Sequence, residues 1–130
     1  MRLLLICLGG AVGTGLRFAI AGVMARWLGP GFPYGTLVVN LVGSFLIGVI
    51  QEVGTTSLLI PQTTRLFLTV GVMGGLTTYS SFSYETIKLM EDAAWARAWG
   101  NVAFTTVACL TLCFLGIAVG RALVGPRGGA

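Results

Sequence analysis

Histidine is absent from this chain, and only four of its 130 residues are acidic: Glu52, Glu85, Glu91 and Asp92. Acid–base catalysis draws on His or on carboxylates held together in one site. No apolar segment here carries a carboxylate pair, no nucleophile stands beside a base, and no phosphate-cradling glycine loop ends in Lys-Ser or Lys-Thr. An enzyme is therefore not expected. Charge is scarce altogether, at 9% of residues, where a soluble domain carries about a quarter. That excludes water as the main solvent. The net charge of +4 comes from scattered Arg and Lys that form no patch, which excludes a nucleic-acid partner. Cysteine is limited to Cys7, Cys109 and Cys113, all in apolar segments, where no loop disulfide can form. Cys109 and Cys113 share a helix face, but no third soft ligand accompanies them, so they read as small packing residues.

What is present in excess is apolar length. Hydrophobic residues make up 55% of the chain, in four segments at roughly 3–24, 35–53, 65–90 and 99–123. Each is long enough to cross the ~30 Å hydrocarbon core. The expectation is an all-α membrane protein, multi-pass, with residues 1–130 forming a single four-helix transmembrane domain. Arg2 followed by Leu3-Leu4-Leu5-Ile6-Cys7-Leu8 has the look of a signal peptide. The apolar run continues past Gly15 to Met24, so an uncleaved first span is expected instead.

The chain is organised around Gly74-Gly75-Leu76-Thr77-Thr78-Tyr79-Ser80-Ser81-Phe82-Ser83-Tyr84-Glu85. Two glycines weaken helix where lipid offers no hydrogen-bond partner. The third segment would extend about 39 Å as one helix, longer than the core, so a break in mid-membrane fits. A broken membrane helix must line a cavity, bind an ion or be buried in protein. Five hydroxyls follow the glycines, and Tyr79 and Phe82 share a face at i and i+3, with Glu85 three residues beyond. The stretch reads as an ion site.

Other segments contribute single polar residues. Arg17 is costly inside a span, roughly 2.5 kcal/mol at the centre on insertion scales. It either snorkels to the nearer interface or presents a cation to a water-filled vestibule, and the two are compatible. Asn40 offers two donors and an acceptor amid apolar neighbours, as glue between helices or as a donor to an anion or a packed ring. Ser44 continues its edge one turn on. Asn101, Thr105 and Cys109 form a stripe at intervals of four. Gly9/Gly13 and Gly116/Gly120 are GxxxG pairs that read as packing only. Trp27 and Tyr34 suit the interface around the Gly29-Pro30-Gly31 turn, and the tail from Gly125 to Ala130 is expected to fray.

Two chains are needed to enclose a selective path. Antiparallel pairing would bring two broken segments together, and carbonyls freed between Gly74 and Thr77 in both copies can hold a small hard cation such as Na⁺. The hydroxyls, the Asn40 amide and the positive ring edges beyond the break suit a small anion. The first and second spans carry no acid, which argues against a cation path.

At these residues the chain resembles the Fluc (CrcB-like) fluoride channel family, over its whole length. Gly-Gly-Leu-Thr-Thr-Tyr-Ser-Ser-Phe-Ser at 74–83 is similar to that family's central signature. Thr36-Leu37-Val38-Val39-Asn40-Leu41-Val42-Gly43-Ser44 matches its second motif, and Arg17 after Gly9-Gly10-Ala11-Val12-Gly13 its first. The resemblance implies an antiparallel dual-topology homodimer with two pores in the cytoplasmic (cell) membrane. It implies a structural Na⁺ held by the backbone carbonyls of Gly74 and Thr77 of both chains. It maps the pore rings to Tyr79 and Phe82, the amide to Asn40, and the polar track to Ser80, Ser81, Thr105 and Cys109, with Glu85 beside it. The implied role is passive fluoride export that relieves cytoplasmic toxicity. Three positions depart from the family: Tyr79 for the usual phenylalanine, Ser81 for threonine, and Cys109 for a small hydroxyl residue.

Two rivals are distinguishable. A small multidrug-type proton-coupled exporter needs a carboxylate in its first span, and this one has only Arg17. A structural membrane subunit without transport would use Asn40 and the break for packing alone.

Four spans put Arg2, Arg65, Arg121 and Arg127 on one side and Arg26, Arg97 and Lys88 on the other. The positive-inside rule then gives no orientation. Either the chain inserts both ways, or a small protein simply has small counts. Dual insertion predicts that a tag on one terminus labels from both membrane faces; labelling from a single face rules it out.

Overall fold

The computed structural model describes residues 1–126. Arg127 and the tail positions 128–130 lie outside the described residues. The described chain is helical, with no strand among the described residues. Helix α1 spans Arg2–Leu28, α2 Tyr34–Thr56, α3 Gln62–Leu66, α4 Gly74–Leu76, α5 Tyr79–Glu91 and α6 Trp95–Val124, with a π-helical stretch, Phe67–Met73, joining α3 to α4. Three of these helices, α1, α2 and α6, are long and apolar enough to cross a membrane. The segment read as the third span is different. It is divided among α3, the π-helical stretch, α4 and α5, and no one piece of it is long enough to cross.

The helix ends follow local chemistry. At the end of α1, Gly29 takes φ 78°, a conformation that needs no Cβ, and its N–H closes on Ala25 O at 3.0 Å. Pro30 then prevents further helix. Gly125 ends α6 in the same way, with φ 80° and its N–H on Arg121 O at 3.1 Å. At the C-terminus of α2, Thr56 and Ser57 turn their hydroxyls back onto Glu52 O and Val53 O at 2.5 and 2.7 Å.

Glycine sets how closely the helices approach. A Cβ at Gly9 would stand 2.7 Å from Phe67 O, one at Gly13 would collide with Val72 O, and one at Gly75 would stand 2.5 Å from Gly10 O. So α1 lies backbone to backbone on the π-helical stretch and α4. On the other side, a Cβ at Gly116 would collide with Phe45 O, and one at Gly48 would stand 2.5 Å from Cys113 O. Both GxxxG pairs therefore work as packing surfaces, α1 on the segmented region and α6 on α2. The buried core between them is small: Val39, Val72, Met73 and Leu76, flanked by Ile20, Leu46 and Ile47. Large apolar side chains such as Phe18, Val107, Leu110 and Phe114 stay mainly exposed. Water would penalise that exposure, while lipid does not.

Gly116→Val should therefore cost about 1–3 kcal/mol through overpacking against the α2 backbone. Gly22→Ala, where nothing lies within 4 Å, should be neutral or slightly stabilising. Thermal unfolding in detergent checks this; equal melting temperatures for the two variants would refute the packing assignment.

Candidate functional site

The local structure at 74–82 is fixed by where three N–H groups go. Thr77 N–H and Thr77 Oγ1–H both donate to Met73 O, at 3.0 and 2.9 Å. The chain then leaves the helix: Thr77 sits at φ −82°, ψ 154° and Thr78 at φ −152°, ψ 111°. Thr78 N–H, which would close the next turn on Gly74 O, donates instead to Asn40 Oδ1 at 2.8 Å. Asn40 Nδ2 donates back to Thr78 O at 3.1 Å. The Asn40 amide thus pairs with Thr78 at both ends, as a neighbouring strand's peptide would. Opposite the break, Gly43 leaves room for the Thr77 methyl, which a Cβ there would strike.

Thr78 caps α5. Its Oγ1 accepts Ser81 N–H at 3.2 Å and donates to Ser81 Oγ at 3.1 Å, with Ser80 Oγ at 3.3 Å. Ser81 N–H is the donor that Thr77 O would otherwise receive. Gly74 O and Thr77 O therefore both lose their helical donor to a side chain. Two carbonyls of this kind are hard oxygen ligands suited to a small cation. Ser81 keeps its own hydroxyl hydrogen uncommitted.

A groove of about 450 Å³ opens against this turn. It brings together seven of the expected residues: Asn40, Gly74, Thr77, Tyr79, Phe82, Thr105 and Cys109, with Ser44 and Thr106. The Tyr79 and Phe82 rings stand 5.6 Å apart and are tilted by 50°. They are not equivalent, since Phe82 is 9% exposed and Tyr79 80%. Ser80 and Ser81 sit just beyond the lining, in the α5 cap.

Two expected residues lie elsewhere. Arg17 is half-buried on α1, one turn past Gly13, and does not line the groove. Glu85 borders a separate cleft of about 380 Å³, beside Gly31, Tyr34, Lys88 and Asp92. Its Oε1 accepts Thr36 Oγ1–H at 2.9 Å, while its buried Oε2 has no partner among the described residues.

The site also contains one residue that the sequence reading did not single out, Thr86, which gives Asn101, read there only as part of the α6 stripe, a partner on α5. Asn101, 2% exposed, donates through Nδ2 to Thr86 Oγ1 at 2.9 Å and accepts Thr105 Oγ1–H on Oδ1 at 3.1 Å. Thr86 Oγ1 donates in turn to Phe82 O at 2.7 Å. This chain ties α5 to α6 one turn beyond Phe82. Its signal was present as Asn101 four residues before Thr105 and Thr86 four residues after Phe82, but nothing in the sequence pairs the two helices.

Asn40→Leu would leave Thr78 N–H and C=O buried without partners. A loss of about 2–4 kcal/mol is expected from two orphaned groups, measured by unfolding in micelles. Asn40→Asp, which keeps the acceptor for Thr78 N–H, should lose less; equal losses would contradict the two-point pairing.

Residues 4–117 match the family model described as CrcB-like protein, Camphor Resistance (CrcB). Among curated proteins, the chain is 48% identical over 122 residues to a fluoride-specific ion channel FluC of Geobacter sp. (strain M21), covering 94% of this chain and 98% of that one. It is 49% identical over 122 residues to the protein of the same name from Citrifermentans bemidjiense, with the same two coverages. It is 50% identical over 119 residues to that of Sorangium cellulosum, covering 92% of this chain and 94% of that one.

Proposed function

From its place in the CrcB-like family, to which this chain belongs, and from the groove beside Asn40, we propose that it is a fluoride-selective channel and not an enzyme. The protein is a multi-pass membrane protein. The reading is supported by relatives that carry the name fluoride-specific ion channel across nearly their whole length. The observation that carries it is the convergence on one groove of ring edges, hydroxyls and a side-chain amide, with no carboxylate in its lining.

In this reading the segment 62–91 is the third span, broken at Thr77-Thr78 in mid-membrane. Two copies pair antiparallel, inserted in both orientations, and each groove becomes a pore wall. Fluoride holds its water strongly, so the path must replace that shell with donors. The donors are the second Asn40 N–H, the hydroxyls of Ser80 and Ser81, and the edges of Phe82 and Tyr79. Thr105 and Cys109 complete the wall on α6. Arg17 and Glu85 belong to the approaches, where Arg17 raises local anion concentration. The flow is passive and clears fluoride from the cytoplasm.

Na⁺ fits the carbonyls of Gly74 and Thr77, whose helical donors go to Asn40 and Thr78. A closed ligand set needs the same two oxygens from a second copy. Bound there, the ion would neutralise carbonyl dipoles turned toward each other at the pairing axis.

A structural subunit without transport would also use the Asn40–Thr78 pairing, so that contact alone does not separate the two readings. Flux does. Purified protein in liposomes should release fluoride, and not chloride, to an ion-selective electrode. Phe82→Ile should abolish release while leaving the assembled species intact by size exclusion, and replacement of all Na⁺ should weaken both assembly and flux. A well-assembled wild type that releases no fluoride overturns the channel reading, and flux indifferent to Na⁺ removes the cation.

A further inference from the structure

The buried amide of Asn101 has a consequence for Thr105. A threonine hydroxyl has one hydrogen, and Thr105 commits it inward, to Asn101 Oδ1 at 3.1 Å. Thr105 therefore offers the groove only lone pairs. That is the wrong polarity for an anion. Turning its O–H outward by itself would leave Asn101 Oδ1 unpaired at a residue 2% exposed, which is costly.

We propose that Asn101 is a positioning residue whose amide, by turning over, switches Thr105 from a hydrogen-bond acceptor to a donor facing the groove. This rests on the reading of the groove as an anion path. A half-turn about the last side-chain bond exchanges Oδ1 and Nδ2, which have nearly the same shape. Nδ2 then donates to Thr105 Oγ1, and Oδ1 accepts from Thr86 Oγ1. Both contacts survive with their direction reversed. Thr86 withdraws its hydrogen from Phe82 O, which it reaches at 2.7 Å. That carbonyl is inside α5 and keeps the helical N–H four residues on. The Thr105 hydrogen is released toward the groove, where an anion rewards it with a charge-assisted bond.

The residue types fit this role. An amide is the side chain that carries a donor and an acceptor at the two ends of one symmetric shape. Leu would offer neither, and a carboxylate would accept from both threonines and hold the Thr105 hydrogen inward. Thr86 and Thr105 hydroxyls can each reverse by rotation alone. No backbone movement is required, so the switch can follow an ion at side-chain speed.

The test is a double-mutant cycle read as fluoride efflux from liposomes, with assembly checked by size exclusion. Thr105→Val keeps the shape and removes the hydroxyl; efflux should fall by about five- to tenfold, the worth of one hydrogen bond to the ion, and Thr105→Ser should restore it. Asn101→Leu removes the Nδ2 donor that would turn the hydroxyl outward and lets the Thr105 hydrogen fall back onto its own helix backbone; it should slow efflux by a similar factor when Thr105 is present and add nothing in the Thr105→Val background. Thr86→Val, which removes the donor that the turned amide needs, should behave the same way and serves if Asn101→Leu does not assemble. Losses that multiply in the double variants would mean that Asn101 acts only on packing, and would overturn the proposal. So would unchanged efflux in Asn101→Leu. A silent wild type has a different signature and overturns the channel reading itself.

Discussion

The structure depends on one pairing, the Asn40 amide on the peptide of Thr78. A helix broken in an apolar environment exposes backbone groups that no solvent can satisfy. Here the break exposes Thr78 N–H and C=O, and a single side chain from α2 answers both, at 2.8 and 3.1 Å. Several features follow from it. With Thr78 held extended, its hydroxyl is placed to cap α5. With α5 started at Tyr79, the two rings fall on one face at 5.6 Å. With Thr78 N–H and Ser81 N–H taken by side chains, Gly74 O and Thr77 O are left with oxygen lone pairs to share. Asn40 is thus both the glue and a wall of the groove. The distinction drawn between those roles from sequence does not hold as an alternative, because the amide has hydrogens for both.

The pairing in turn needs close helix approach, and that comes from glycine. Gly9, Gly13 and Gly75 let α1 lie directly against the segmented region, while Gly43 admits the Thr77 methyl. On the far side Gly48 and Gly116 hold α2 to α6, which fixes the helix that carries Asn40 relative to the helix that carries Thr105. In lipid no hydrophobic force pulls helices together, so packing at this range and hydrogen bonds between helices are what hold the bundle. The small size of the buried core is consistent with that.

Much of this could be read from the residues. The four apolar segments correspond to α1, α2, the segmented region and α6, each running a few residues past its expected limits because helices continue beyond the hydrocarbon. Gly74-Gly75 followed by five hydroxyls gave the expectation of a break at the glycines, whereas the chain leaves the helix at Thr77-Thr78, three residues later. Both glycines are helical, and Gly75 serves packing against α1; the departure itself is made by threonines whose β-branched side chains favour extended backbone. Seven of the expected site residues share one groove, since i, i+3 and i, i+4 spacing is reliable within a helix. Which helix faces which is a tertiary fact. That is why the Thr86–Asn101 contact was missed, why Glu85 falls in its own cleft with Thr36, and why Arg17 lies apart from the groove.

The direction of hydrogen bonds then decides what kind of ion the groove can serve. A site lined with hydroxyls and amides has no fixed sign, because each such group can present a hydrogen or a lone pair. Sign is imposed by neighbours that consume one or the other. Around the break, Thr78 N–H consumes the Asn40 acceptor, so Asn40 faces outward with a hydrogen. Thr78 Oγ1 donates to Ser81, so Ser81, in the α5 cap just beyond the lining, keeps its hydrogen as well. On α6 the balance runs the opposite way, with Thr105 turned inward onto Asn101. The groove therefore has one wall fixed as donor and one wall whose polarity depends on a buried amide. In the proposed reading a cation would be met by the two carbonyls of the break, whereas a small anion would be met by the Asn40 hydrogen and gain another donor if α6 responds. In the proposed channel the two ion types would be kept apart, the cation at the carbonyls of the break and the anion at the donors beyond it.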